Sequence, residues 1–310
     1  MARWRSTPSA ADEVQDASTA DGLTGALIID TSLDDFMASE GLPESFRRTV
    51  EVVCEPLAAR SIRMRQVKRR TAIIGLCGPQ GSGKSTIVGA TKRLLEARGY
   101  STVALSLDDF YLTRDARQRL AREVHPLLAT RGPPGTHDVQ LAGAVLEQLR
   151  LKGKVNLPRF DKGADNRAPR GSWETVASPV DIVLIEGWCL GALAQGAAAL
   201  SIPVNDLERE EDPKGVWRGY VNEQLDGPYQ ALFARLNDLI LLEAPSFEVV
   251  RGWRTEQERK LRERTGSGMS DEEVVRFVAH YERLTRWILS EMPSRADWTI
   301  TLDENRSPFV

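Results

Sequence analysis

Residues 78–85 read Gly78-Pro79-Gln80-Gly81-Ser82-Gly83-Lys84-Ser85, a complete G-x-x-x-x-G-K-[ST] pattern. Its glycines let the backbone turn tightly and approach an anion with no Cβ in the way. Successive N–H groups then face inward as a nest, at the positive end of a helix. Lys84 supplies a mobile charge suited to β- and γ-phosphates, the Ser85 hydroxyl is the expected Mg²⁺ ligand, and Thr86 follows in the same turn. The chemistry implied is the binding of a nucleoside triphosphate, ATP by default, together with Mg²⁺.

Carboxylates at strand ends supply a second set. Asp108 and Asp109 follow an apolar run in Leu107-Asp-Asp-Phe-Tyr111. An acid placed there can accept a proton from an attacking hydroxyl or reach Mg²⁺ through water. Glu186 follows the apolar run Asp181-Ile-Val-Leu-Ile185, the position of a metal-organising acid in a phosphate-binding fold. Ser85, Asp108 and Glu186 are therefore the candidate metal residues. The Asn-Lys-x-Asp signature of guanine recognition and the Leu-Ser-Gly-Gly signature of transporter ATPases are both missing. Phosphoryl transfer to a small acceptor remains, with a nucleotide-binding regulatory protein as the alternative from another class.

These residues need a sheet to hold them. Thr71–Cys77, Ser101–Leu107, Asp181–Ile185, Asp238–Glu243 and Trp298–Leu302 read as strands, alternating with helical stretches in the manner of a parallel α/β sheet. Residues 86–95 can wind as the helix after the loop, and Asp138 is placed to cap a helix over 138–150. Ser270 to Glu273 forms a capping box for a helix ended near Pro293. Residues 32–66 read as helical from Pro43, with Phe46, Val50, Val53 and Leu57 at helical spacing. Residues 108–137, 158–179 and 187–215 are rich in Gly, Pro, Asp and Arg and are expected to be irregular substrate loops. The expected organisation is a tail over 1–24, a helical extension over 25–70, and a nucleotide domain over 71–310.

The chain has 310 residues, a hydrophobic fraction of 41% and a formal charge of −3. Such a balance gives no bulk electrostatic reason for nucleic-acid binding. Positive charge is local: Arg60, Arg63, Arg65, Lys68, Arg69 and Arg70 read as a solvated helix face. A second cluster is Arg251, Arg254, Arg259, Lys260, Arg262 and Arg264. Cys54, Cys77 and Cys189 form no metal or disulfide pattern, which suits a reducing compartment. No membrane-length apolar run or signal-peptide core is present, and Asp12, Glu13, Asp16 and Asp21 speak against a transit peptide, so a cytoplasmic location is expected.

Taken together, Gly78 to Thr86, Ser106-Leu-Asp-Asp-Phe-Tyr-Leu112, Arg131-Gly-Pro-Pro-Gly-Thr-His-Asp138, Leu157-Pro-Arg-Phe-Asp-Lys162 and Glu186-Gly-Trp-Cys-Leu-Gly191 resemble the D-glycerate 3-kinases of the phosphoribulokinase, uridine kinase and pantothenate kinase group. The stretches Arg251 to Glu258 and Gly268 to Glu273 extend the resemblance to residues 70–310. It implies a three-layer α/β P-loop kinase with a mostly parallel sheet and an N-terminal helical extension, acting on glycerate or another small hydroxyl acceptor of uridine, pantothenate or phosphoribulose type. One departure stands at Gly163-Ala-Asp-Asn-Arg167, which is shorter than the family's version.

Under that resemblance Asp108 is the base, with Lys84, Glu186 and Arg254 completing the catalytic group. Arg131, His137, Arg159 and Arg167 are candidates to meet a glycerate-like anion, because arginine pairs with carboxylates in a bidentate fork. Asp109, Tyr111 and Trp188 are expected at the pocket wall. Arg251 and Arg254, three apart on a helix over 246–265, are expected to share one face of a lid.

Overall fold

A computed structural model describes residues 33–266 and 268–309. The tail expected over 1–24 lies outside the described residues. In chain order the strands are β1 (Ala72–Cys77), β2 (Thr102–Ser106), β3 (Gly153–Leu157), β4 (Phe160–Asp161), β5 (Asn166–Arg167), β6 (Glu174–Ser178), β7 (Ile182–Gly187), β8 (Asp238–Glu243) and β9 (Trp298–Thr301). Five of them form one sheet in the order β2-β7-β1-β8-β9. Every pairing in it is parallel.

Parallel strands need helical crossovers on both faces, so their residues are apolar on both sides. All six residues of β1 and all six of β7 are buried accordingly. Ile74, Leu76, Leu184, Ile240 and Leu242 pack toward Leu57 and Ala58 of α1 (Glu55–Lys68) and toward Ile87, Leu94 and Leu95 of α2 (Lys84–Ala97). Ile73, Val103, Leu105, Val183, Ile185 and Leu241 face the other way. They meet Val145 and Leu146 of α3 (Val139–Gln148), together with Tyr229, Leu284 and Ile288. Three layers result. The register sets Leu76 opposite Glu186 and Cys77 opposite Gly187, with Ser106 opposite Glu186 on the other side. The carboxyl ends of β1, β7 and β2 therefore finish level, where open α/β sheets bind ligands.

The basic cluster before β1 is not simply a solvated face. Arg60 pairs with Asp238, its second contact a 2.7 Å bond from Nη2 to Oδ1. Arg65 Nε donates to Asp181 Oδ1 at 3.0 Å. Asp238 opens β8 and Asp181 immediately precedes β7, so α1 pins the amino-terminal edge of the sheet. Asp238 is 2% exposed, and a buried carboxylate of that kind requires its partner.

Three expectations change in detail. The stretch 32–66, expected to be helical, is interrupted: residues 33–40 are helical, Gly41 turns at φ +62°, and helix resumes at Phe46. Pro43 sits in the turn, its carbonyl accepting from the Phe46 N–H. A π-helical turn over Val50–Cys54 then leads into α1. The stretch 158–179 is not irregular, because β4 and β5 form a small antiparallel hairpin and β6 pairs antiparallel with the unexpected β3. The stretches 108–137 and 187–215 also contain short helices, among them Arg114–Glu123 and Asp206–Glu211.

Candidate active site

The loop after β1 has the expected form. Gly81 and Gly83 take left-handed φ values of +77° and +87°. A Cβ on Gly81 would lie 2.8 Å from Trp253 Cβ, so the close approach admits only glycine. The Lys84 ammonium donates to the Pro79 carbonyl at 3.0 Å, and the Ser82 hydroxyl donates to the same oxygen at 2.8 Å. Ser85 and Thr86 occupy the first turn of α2. The Gln80 side chain lies beside the Tyr281 hydroxyl.

Glu186, 7% exposed near the end of β7, accepts a 2.8 Å hydrogen bond from the Ser85 hydroxyl. This pair joins the loop to the strand acid. A hydroxyl and a carboxylate, both hard oxygen donors beside a phosphate cradle, suit Mg²⁺, which usually takes only one or two protein ligands beside phosphates and water. Among the described residues no cluster of three or more metal-binding side chains offers a competing site.

Asp108 lies in a 3₁₀ turn over Leu107–Phe110, capped by the Ser106 hydroxyl, which accepts from the Asp108 N–H. Its Oδ1 accepts from the Tyr111 hydroxyl at 2.9 Å and its Oδ2 from Lys162 Nζ at 2.7 Å. Burial alone would raise this carboxyl, but the charge and hydrogen bond of Lys162 bring it below the usual carboxylate range. Lys162 lies just past β4, within the motif Leu157–Lys162. Its role was missed because a lysine in a turn has an ordinary solvated alternative.

The two loops expected to meet an acceptor, 131–138 and 159–167, are tied together. Arg131 pairs with Asp165, which also receives Arg117 Nη2 at 2.8 Å. Asp165 adopts a left-handed φ of +50° in the Gly163–Arg167 segment. Arg167 Nη2 donates to Asp138 Oδ2 and to the Tyr111 carbonyl, both at 3.1 Å. Asp138 also caps α3 as expected, its Oδ1 accepting from the Leu141 N–H at 3.0 Å. Asp109 is occupied by Arg159 Nη1 at 3.0 Å and the Phe160 N–H at 3.3 Å, so it braces β4. Burial, only partly offset by Arg159, raises the Asp109 carboxyl. Most candidate cations here are thus already neutralised.

His137 stacks on Tyr111 with ring centroids 4.4 Å apart. Its Nδ1 is 2.6 Å from the Tyr229 hydroxyl, whose oxygen accepts from the Gly135 N–H at 2.9 Å. In the tautomer where the Tyr229 hydroxyl donates to Nδ1, the proton of the neutral ring sits on Nε2. Burial pushes His137 down to about 4, so the ring is neutral at ordinary pH. Nε2 is buried with no partner among the described residues, and so is Nε of Arg167. Buried polar nitrogens of this kind call for a ligand or water.

Trp188 is buried and donates from Nε1 to the Gly132 carbonyl at 3.0 Å, bracing the 131–138 loop. Tyr281, on α5 (Asp271–Glu291), packs edge-on against Trp188 and donates to the Arg131 carbonyl at 3.0 Å. Nothing in the sequence marked Tyr281; tertiary packing brings it to this loop.

The two lid arginines part company on α4 (Phe247–Thr265). Arg254 is half-buried, pairs with Glu258 at 2.6 Å, and lies 5.3 Å from the centre of the Phe277 ring. Arg251 is exposed and lines an outer groove with Thr255, Arg259 and Arg262. Three residues apart, the two lie about 60° from each other around the helix, and their side chains diverge: Arg254 turns to Glu258 and Phe277, Arg251 to the outer groove. Cys77 is buried and its thiol is pushed up to about 12 by burial, which leaves little reactive thiolate. No helix among the described residues is long and apolar enough to cross a membrane.

Comparison with known proteins agrees with this geometry. The model of the phosphoribulokinase / uridine kinase family matches residues 73–194. The chain is 34% identical over 280 residues to the uncharacterized kinase mug58 of Schizosaccharomyces pombe, covering 84% of this chain and 99% of that protein. It is 32% identical over 257 residues to the chloroplastic D-glycerate 3-kinase of Arabidopsis thaliana, covering 77% of this chain but 54% of that one, so it spans about half of that relative's length. Among solved structures, D-glycerate 3-kinase from Cryptococcus neoformans is similar in fold, with a TM-score of 0.71, 24% identity, and coverage of 84% of this chain and 98% of that one. A phosphate-binding loop joined to a strand acid, on a parallel sheet shared with these relatives, places the chain in the phosphoribulokinase / uridine kinase family of P-loop kinases, within the group that includes the D-glycerate 3-kinases.

Proposed function

We propose that this kinase transfers the γ-phosphoryl group of ATP to a hydroxyl of a small hydroxy-carboxylate, with D-glycerate as acceptor and 3-phosphoglycerate as product. The observation that carries the acceptor class is a pair of buried nitrogens with no partner among the described residues, Arg167 Nε and His137 Nε2 (a donor when the Tyr229 hydroxyl donates to Nδ1), gathered around Tyr111, whose hydroxyl holds Asp108. One cationic and one neutral donor suit an acceptor rich in oxygens, and a carboxylate supplies them. The name of the Arabidopsis relative supports glycerate as that acceptor.

In this reading the backbone of Gly78–Thr86 cradles the β-phosphate, and Lys84 leaves the Pro79 carbonyl to meet the transferring group. Ser85 and Glu186 are the residues that would hold Mg²⁺, whose charge, when bound, offsets that of the phosphates. Asp108 orients the acceptor hydroxyl and takes its proton as the oxygen attacks phosphorus in line. A carboxylate held well ionised is a weak base. That suits a loose transition state, in which positioning and electrostatics do most of the work. Arg254 is the lid cation nearest the Tyr281 side of the site and would release Glu258 to assist the transfer.

The test is ADP release with D-glycerate, L-glycerate, glycerol, uridine and pantothenate as acceptors, and product identification by phosphorus NMR. Stimulation by D-glycerate with phosphate on the 3-hydroxyl is expected. Glycerol working as well as glycerate would remove the carboxylate contact, and stimulation by uridine alone would overturn the assignment.

A further inference from the structure

The crown of the phosphate-binding loop is held by a residue from the far end of the chain. Arg306 Nε donates to the Gly81 carbonyl at 2.7 Å. The same guanidinium is fixed twice more: Nη2 donates to Glu256 Oε2 at 2.6 Å, and its carbon lies 5.3 Å from the centre of the Trp253 ring. Trp253 in turn donates from Nε1 to the Glu304 carbonyl at 2.6 Å. Glu256 and Trp253 belong to α4, whereas Glu304 and Arg306 belong to the turn after β9. Arg306 itself adopts a left-handed φ of +70°, within a turn closed by its N–H on the Asp303 carbonyl.

The consequence for the loop follows from peptide planarity. The Gly81 carbonyl and the Ser82 N–H belong to one rigid unit and point in opposite directions. Arg306 holds the carbonyl end, and the Pro79 carbonyl accepts the Ser82 N–H at 3.3 Å at the other. Pro79 O also holds Lys84, which must move when phosphates arrive, so the inner anchor alone is shared and changeable. The outer anchor is the charged one, and hydrogen bonds to charged groups are the stronger kind.

We propose that Arg306 is a positioning residue for nucleotide binding: it fixes the Gly81–Ser82 peptide plane and ties the phosphate-binding loop to α4, so that the C-terminal turn presets the cradle for Mg·ATP. The inference rests on the kinase reading for its functional effect, while the clamp itself is measurable without nucleotide.

The test uses the full chain as wild type, Arg306→Gln and Arg306→Lys. In nucleotide-free protein, hydrogen exchange of the peptide spanning Pro79–Lys84 should rise about tenfold in Arg306→Gln, with β1 and β7 unchanged and Arg306→Lys intermediate. Calorimetry should show Mg·ATP binding weakened about tenfold in Arg306→Gln, with the KM of the acceptor unchanged. Unchanged exchange in the loop, or faster exchange across the whole core, overturns the clamp. Loosened exchange with no loss of nucleotide affinity overturns its functional part. Failure of the wild type itself to bind Mg·ATP would instead overturn the kinase reading, and the exchange result would still decide on the clamp.

Discussion

The Lys162 ammonium lies 2.7 Å from Asp108 Oδ2, so the carboxylate proposed to meet the acceptor hydroxyl is already ion-paired. If Asp108 receives the proton, Asp108→Asn lowers kcat by about 100-fold or more while Mg·ATP still binds. Steady-state kinetics with a separate nucleotide-binding measurement checks this, and an intact kcat removes Asp108 from the role.

Lys162→Met tests the ion pair from its other side. Lys162 holds the Asp108 carboxyl down, so losing the ammonium lets that carboxyl rise. The protonated, inactive form then persists to higher pH, and the acid limb of the kcat/KM profile moves upward. A profile superimposable on the wild type would mean that Lys162 is only a surface lysine.

Ser85→Ala removes the hydroxyl that now donates to Glu186. The Mg²⁺ concentration for half-maximal rate is expected to rise about tenfold, and chelation of the metal should stop turnover in either protein. An unaltered Mg²⁺ titration would rule out Ser85 as a ligand.

Acidification should weaken the fold through His137. Its value falls from an ordinary 6.5 to about 4 because the ring is buried. Between those values the unfolded chain binds a proton that the folded chain refuses, so stability rises with pH across this window. The contribution is fully present above pH ~6.5 and is lost as pH falls toward ~4, with a ceiling of roughly 3 kcal/mol. Denaturant unfolding at several pH values should show a shallower slope for His137→Gln than for wild type. His280, also lowered by burial, contributes to both proteins and cancels in the comparison.

Gly132→Ala should be costly. Gly132 sits at φ +128°, and a Cβ there would lie 1.9 Å from the Tyr281 hydroxyl oxygen. Backbone strain and overpacking together should cost about 2 kcal/mol or more and displace the Arg131–Asp138 loop. A change in unfolding free energy below about 0.5 kcal/mol would mean that the loop adapts freely.

The sheet and its nucleotide side were legible because each signal was local. Five apolar runs became the five strands of the parallel sheet, and eight consecutive residues specified the phosphate loop. Ser85 and Glu186 met although 101 residues separate them, because the loop follows one strand and the acid ends its neighbour. The acceptor side was harder to read, since its meaning lies in pairings. Arg131, Arg159 and Arg167 look alike as sequence, yet each is matched to an aspartate on another segment. Arg251 and Arg254 were separated by their partners, Arg254 turning to Glu258 while Arg251 faces the outer groove. Tyr281 and Arg306 carried no motif at all, only positions that tertiary packing brings to the loop.

The cross-pairing of Arg131 with Asp165 and of Arg167 with Asp138 has a consequence for engineering. Residues 131–138 and 159–167 supply each other's counter-charges, so transplanting either stretch alone from a kinase of different taste would strand an ion without its mate. If these loops meet the acceptor, changing it calls for exchanging both as one cassette, with residues 78–86 left as they are.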